Sequence, residues 1–167
     1  VNAGYVMTDS LIAVKESIES KCNVSVYYPN RCEGYGLSMA FCKALVPRKT
    51  KKRILVLTVD NGITKKEEVA YLQSKGVEVI ITDHHAPKAG HTPECLVVDP
   101  WLNDLDDINA KGLCGTAVAY KIAGRVLEMY GDTNFIMNYL PNVAIATITD
   151  IMPATPENIG LVGYGLW

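Results

Sequence analysis

Two adjacent histidines follow an aspartate where an apolar segment of the sequence ends. The segment VIIT is apolar or β-branched throughout and runs into three titratable residues, Asp83, His84 and His85. Two further aspartates end similar segments, Asp60 in ILVLTVD and Asp99 in CLVVDP. Clustered carboxylates repel one another unless a cation lies among them. Carboxylate and imidazole together suit Mn²⁺, with Mg²⁺, Co²⁺ or Zn²⁺ as alternatives, and two such ions would activate a water and stabilise in-line displacement at phosphorus.

The pattern of apolar residues predicts an α/β fold with a parallel β-sheet sandwiched by helices. The predicted strands are 23–28, 54–60, 77–83 and 95–100, and the predicted helices are 8–20, 37–45, 64–76, 116–130 and 135–149. Alternating strands and helices form right-handed crossovers, and such sheets bind ligands at the carboxyl ends of their strands. We therefore expect Asp60, Asp83 and Asp99 to share one edge. The alternative is that Asp60 and Asp99 merely cap loops or following helices.

Composition and charge are typical of a globular protein. The 167 residues are 49% hydrophobic and 20% charged, which suits one domain. A net charge of -2 gives no general attraction for nucleic acid, so phosphate binding needs a local site. The five cysteines are an odd number without CxxC spacing, which predicts reduced thiols and a cytoplasmic location. No apolar run approaches the ~20 residues that cross a bilayer, so we expect no membrane association.

Six segments resemble one family of enzymes. TDHHAP is similar to the Asp-His-His signature of the DHH phosphoesterases, and LTVDNGI resembles their second motif. YYPNRCEGYGL, LCGTAVAYKIA and ATITDIMP resemble segments of the RecJ branch, the 5′-to-3′ single-strand exonucleases, and LVVDP stands where RecJ usually has Asn-Pro. The resemblance implies a single DHH domain over residues 1–167. It also implies two Mn²⁺ or Mg²⁺ ions, single-stranded nucleic acid as substrate, a role in DNA repair or recombination, and a replication or repair protein as partner.

The resemblance also implies roles for individual residues. Asp60, His84 and Asp150 would be metal ligands, with Asp60 bridging two ions. His85 would ligate metal or hold the scissile phosphate, and Asp83 would orient an imidazole, as metal-bound histidines commonly require. The expected catalytic residues are thus Asp83, His84 and His85. For Asp150 the alternative is a helix-end residue that faces solvent.

Phosphate contacts are expected at three further places, each with an alternative. Arg31 can contact a phosphate through its planar guanidinium, or pair with Glu33. Gly115 and Thr116 open a helix whose free amide groups can hold a phosphate, or they allow close helix packing. The basic loop 47–53 can follow a nucleic-acid backbone, or form a solvated connection.

The sequence departs from the family at both ends. The first DHH motif, a strand ending Asp-x-Asp-x-Asp-Gly, does not appear: Gly4 aligns with its glycine, but no aspartate precedes Asp9. We expect the motif and its strand upstream of Val1. Two alternatives stay open: a second chain supplies the motif, or the motif is degenerate and one metal site is defective. The further substrate-gripping domain of such enzymes is expected to be absent from this chain.

Two other functions stay open. The chain can be another DHH phosphodiesterase that hydrolyses short oligonucleotides, cyclic dinucleotides or pyrophosphate. It can also be a catalytically degenerate module that binds nucleic acid or a protein partner.

Overall fold

The computed structural model describes residues 2–17, 19–29, 36–46, 53–103, 108–130 and 134–167. They form two compact units, which we call the sheet unit (residues 29–104) and the helical unit (residues 1–28 and 105–167). Within the described ranges, none of the helices combines the length and apolar character that crossing a membrane requires.

The described strands are β1 (Leu55–Val59), β2 (Glu78–Thr82) and β3 (Leu96–Val98). The α-helices are α1 (Asn2–Ser17), α2 (Met39–Leu45), α3 (Lys66–Ser74), α4 (Ile108–Lys111), α5 (Gly115–Tyr130), α6 (Leu140–Thr149) and α7 (Pro156–Leu166), and 3₁₀ helices cover Pro100–Leu102 and Phe135–Tyr139. The predicted alternation of strand and helix holds for β1, α3 and β2, whereas no helix separates β2 from β3, and the first helix begins at Asn2 and not at residue 8.

The sheet unit contains one parallel sheet with the strand order β1-β2-β3. Val59 lies opposite Thr82, and Thr82 lies opposite Val98. The residues that directly follow the three strands therefore lie at the same edge of the sheet, where the strands have their carboxyl ends. The α/β class and the parallel sheet are confirmed, and the register positions the site described below.

The core of the sheet unit forms where α3 packs against β2. Val69 and Leu72 of α3 and Ile81 of β2 are almost completely buried, and Cys42 of α2 joins them. Burying such side chains stabilises by about 1.5–3 kcal/mol each. This apolar core holds in place the strands that are followed by Asp60, Asp83 and Asp99.

The described residues of the helical unit form two apolar clusters. In one, Val6 of α1 packs with Leu127 of α5 and Ile136. In the other, Val118 of α5 packs with Val143 of α6. The first cluster joins elements that are distant in sequence, and the second joins α5 to the α-helix that follows it.

One predicted strand is wrong. Residues 23–28 adopt no regular secondary structure, and Tyr27 and Tyr28 are exposed. The Tyr28 ring lies 5.9 Å from that of Tyr5, centroid to centroid. Alternation of side chains predicts a strand only where a neighbouring strand can pair with it, and the described part of the chain pairs none with this segment.

The helix α7 is not expected from its glycine-rich sequence. Thr155 caps it by accepting the amide N–H of Asn158 at 3.2 Å, and Pro156 occupies its first turn. A Cβ at Gly165 would lie 2.7 Å from the Ala144 side chain and still closer to the carbonyl oxygen of Leu140. Gly165 thus lets α7 approach α6 closely.

We predict that Gly165→Ala destabilises the fold by about 1–3 kcal/mol, because the added methyl group overpacks this contact. Gly160→Ala and Gly163→Ala are matched controls in the same helix, since a Cβ at either position meets nothing within 4 Å. Both should stabilise slightly, because alanine favours helix more than glycine does. Urea unfolding of the three variants measures the difference. Equal effects at the three positions would contradict the proposed contact.

Candidate metal centre

The turn after β1 has a backbone shape that few residues adopt. Asp60 has φ +65° and Gly62 has φ +117°. Aspartate tolerates the left-handed region better than most residues, and glycine adopts it freely. A Cβ at Gly62 would lie 2.8 Å from the Thr58 hydroxyl, which itself donates to the carbonyl of Asn61 at 2.7 Å. The amide of Asp60 also donates to the Thr82 carbonyl at 2.9 Å. These contacts fix the backbone from which the Asp60 side chain extends.

Asp83, directly after β2, is the most buried of the predicted site residues in the sheet unit, with 1% exposure. Its Oδ2 accepts the amide N–H of Ile63 at 2.9 Å, and its Oδ1 accepts that of His84 at 2.8 Å. Oδ1 also lies 2.6 Å from Nδ1 of His85. This carboxylate therefore orients the imidazole of His85 and leaves Nε2 as the nitrogen for a ligand.

Three side chains converge next to Asp83. Asp60, His84 and His85 each offer one ligand atom, and these atoms all lie within 4.8 Å of one another. Nε2 of His84 is 3.2 Å from Oδ1 of Asp60, and the two imidazole centroids are 4.3 Å apart. The His85 side chain is 60% exposed, so the cluster is accessible. One carboxylate and two imidazoles form a donor set that fits a divalent transition-metal ion.

Asp99, directly after β3, serves as a cap. Its Oδ1 accepts the amide N–H of Trp101 at 2.9 Å, which is the alternative that the sequence left open. The residue is 6% exposed, and Oδ2 has no hydrogen-bond partner within the described ranges. Burial raises the pKa of the Asp99 carboxyl, the nearby charge of Asp83 adds to this, and the Trp101 hydrogen bond opposes it.

Sequence reasoning missed Trp101. Its indole Nε1–H donates to the main-chain carbonyl of His84 at 3.0 Å, although the residues are 17 apart in sequence. The sequence shows an aromatic residue two positions after Asp99, but it does not predict the direction of the indole N–H.

Other predicted residues lie in the helical unit. Asp150 is the exposed C-cap residue of α6, a position that matches its alternative reading as a helix-end residue. Gly115 and Thr116 are the buried first residues of α5, as expected for close helix packing. Their predicted roles with metal and phosphate stay predictions.

The basic residues are only partly described. Arg31 and residues 47–52 lie outside the described residues. Arg53 pairs with Glu78 at 2.6 Å, and both side chains are exposed. Such a pair contributes little to stability.

Comparison with known proteins identifies the family. Residues 3–147 match the model of the N-terminal domain of the DHH family. The chain belongs to the DHH family. The single-stranded-DNA-specific exonuclease RecJ of Haemophilus influenzae is 33% identical over 153 residues, which are 86% of this chain and 26% of the relative. RecJ of Thermus thermophilus is 36% identical over 162 residues, 96% of this chain and 23% of the relative.

Solved structures of the same branch resemble this DHH chain throughout. A crystal structure of exonuclease RecJ bound to manganese matches with a TM-score of 0.78 and 32% identity, covering 99% of this chain and 40% of that one. RecJ from Thermus thermophilus in complex with Mn²⁺ matches with a TM-score of 0.72 and 30% identity, covering 99% and 22%. The predicted RecJ-like membership is confirmed, and the chain spans about a quarter of the length of the curated relatives cited above.

The raised pKa of Asp99 predicts a pH-dependent effect of Asp99→Asn in metal-free protein. A carboxyl with a raised pKa favours folding while it is protonated, and this contribution is lost as pH rises through its folded-state value. Asparagine keeps an acceptor for Trp101 and does not titrate. The variant should therefore gain stability relative to the parent chain as pH rises above the ordinary aspartate pKa of about 4.

Urea unfolding in the presence of a chelator, at several pH values, measures this gain. Glu128→Gln removes an exposed carboxylate that pairs with Arg125 at 2.7 Å, and it is the control for the loss of a surface charge. A stability difference that is the same at every pH would contradict the prediction.

Proposed function

We propose that the chain is the metal-binding part of a RecJ-like phosphoesterase that degrades single-stranded DNA from a 5′ end. The observation that carries the proposal is the cluster of Asp60, His84 and His85 at the carboxyl edge of the sheet. Support also comes from relatives named as single-stranded-DNA-specific exonucleases and from RecJ structures that contain manganese.

The proposed metal ligands are the carboxylate of Asp60 and the Nε2 atoms of His84 and His85. Held by these residues, a divalent ion would supply Lewis acidity, which would polarise a phosphoryl oxygen and lower the pKa of bound water. Asp83 holds the proton on Nδ1 of His85, so that Nε2 presents its lone pair. Mn²⁺ is the preferred ion in this proposal, with Mg²⁺ as the alternative, and two ions are expected in the intact site.

Further contacts are proposed from the family resemblance alone. Asp150 is the expected additional metal ligand. Arg31, Gly115 and Thr116 are expected to bind phosphate, and His85 can contribute to the same binding. The chain's net charge of -2 makes such local contacts necessary for a polyanionic substrate.

The setting is proposed to be the cytoplasm, in DNA repair or recombination with a repair or replication protein as partner. Cys22, Cys42, Cys95 and Cys114, the described cysteines, are free thiols. Burial raises the pKa of Cys42, Cys95 and Cys114, which keeps these thiols protonated and unreactive.

His84→Ala should lower the rate of single-strand degradation with Mn²⁺ by at least about a hundred-fold, because loss of even an outer partner of a metal ligand costs 10–100-fold. His91→Ala is the matched control and should retain activity, since the third histidine lies exposed in a turn outside the cluster. The assay uses the full-length protein and a 5′-phosphorylated single strand labelled at its 3′ end.

Unchanged activity of His84→Ala would refute the assignment of the site. A cyclic dinucleotide, a short oligonucleotide and pyrophosphate, tested in parallel, check the substrate. Preferential hydrolysis of any of these compounds would refute the assignment as a single-strand exonuclease and would be consistent with the assignment as a phosphoesterase.

A further inference from the structure

The peptide group between His84 and His85 is held at both of its polar atoms. Its N–H, which belongs to His85, donates to Oδ1 of Asp83 at 3.4 Å. Its carbonyl oxygen, which belongs to His84, accepts the indole N–H of Trp101 at 3.0 Å. A peptide group is planar, so the bond from Trp101 on one side and the longer contact with Asp83 on the other restrict the orientation of this plane. That orientation in turn restricts the backbone from which the two histidine side chains extend.

Trp101 is held in turn by the strand beside it. Its amide donates to Asp99, which caps the 3₁₀ helix Pro100–Leu102. The amide of Asp83 donates to the carbonyl of Val98 at 3.1 Å. The register of β2 and β3 therefore positions the tryptophan that contacts the histidine loop.

The indole of Trp101 is not a core side chain, because 43% of the residue is exposed. A tryptophan in such a position contributes less apolar burial than in a core, and its N–H is a directed donor that phenylalanine lacks. Its contact with His84 therefore depends on the indole nitrogen more than on the volume of the ring.

We infer that Trp101 is a positioning residue, which orients the His84–His85 peptide so that both imidazoles are preorganised to bind a divalent cation. The inference rests on the proposed function, because it assumes that these histidines bind metal. Trp101 acts through the main chain and needs no contact with the ion.

The test compares Trp101→Phe with Trp167→Phe, which makes the same substitution at the other tryptophan of this sequence, in the helical unit and outside the metal-binding cluster. Electron paramagnetic resonance of free Mn²⁺ measures the affinity. Loss of one hydrogen bond should weaken Mn²⁺ binding about three- to ten-fold in Trp101→Phe and leave Trp167→Phe unchanged. Trp101→Phe should also lower the thermal midpoint of the metal-free protein slightly, because the hydrogen bond is present without metal. Mn²⁺ binding is therefore measured well below both midpoints, where both variants are folded and a general loss of stability would not change the affinity.

A second measurement needs no metal. In the nuclear magnetic resonance spectrum of the metal-free protein, the indole N–H of Trp101 should exchange with deuterium more slowly in the folded protein than in the urea-unfolded protein. Equal exchange rates, or equal Mn²⁺ affinity of the two variants, would overturn the inference about Trp101. Failure of the parent protein itself to bind Mn²⁺ would overturn the proposed function as well.

Discussion

Asp83 is a carboxylate that the protein removes from water and then surrounds with donors. Burying a charge costs several kcal/mol unless hydrogen bonds compensate, and here the amides of Ile63 and His84 and the ring of His85 supply them. These donors come from the turn after β1 and from the loop after β2. One buried group thereby joins the two segments that carry Asp60 and the histidine pair, and the geometry of the candidate metal centre depends on it.

The parallel register makes this junction possible, and the backbone around it is shaped to match. Asp60 adopts a positive φ, a conformation that costs free energy and often marks functional sites. The end of the third strand also helps to position the histidine loop. Asp99 caps the 3₁₀ helix that places Trp101 against the carbonyl of His84. Each of the three strands is thus followed by an aspartate, and the three differ in role. Asp60 is a candidate ligand, Asp83 orients an imidazole, and Asp99 caps a helix.

The sequence predicts the placement of these aspartates but not the difference between their roles. The β-branched runs before Asp60 and Asp83 indicate buried parallel strands, and parallel strands end at one edge. The direction of the Trp101 indole depends on a capping hydrogen bond that no spacing encodes. The segment 23–28 has the alternation of a strand, but pairing depends on a neighbour that local sequence does not specify. Gly165 counts against a helix by propensity, yet the packing of that helix requires it.

The proposed chemistry requires that Asp60, His84 and His85 bind a divalent metal ion. Crystals of the full-length protein soaked in Mn²⁺, measured at the manganese absorption edge, would locate that ion. We expect an anomalous difference peak bounded by the Asp60 carboxylate and the Nε2 atoms of both histidines, with Asp83 beside Nδ1 of His85 and outside the coordination sphere. A peak elsewhere with none in this cluster, or direct coordination by Asp83, would show that the metal centre described above is wrong.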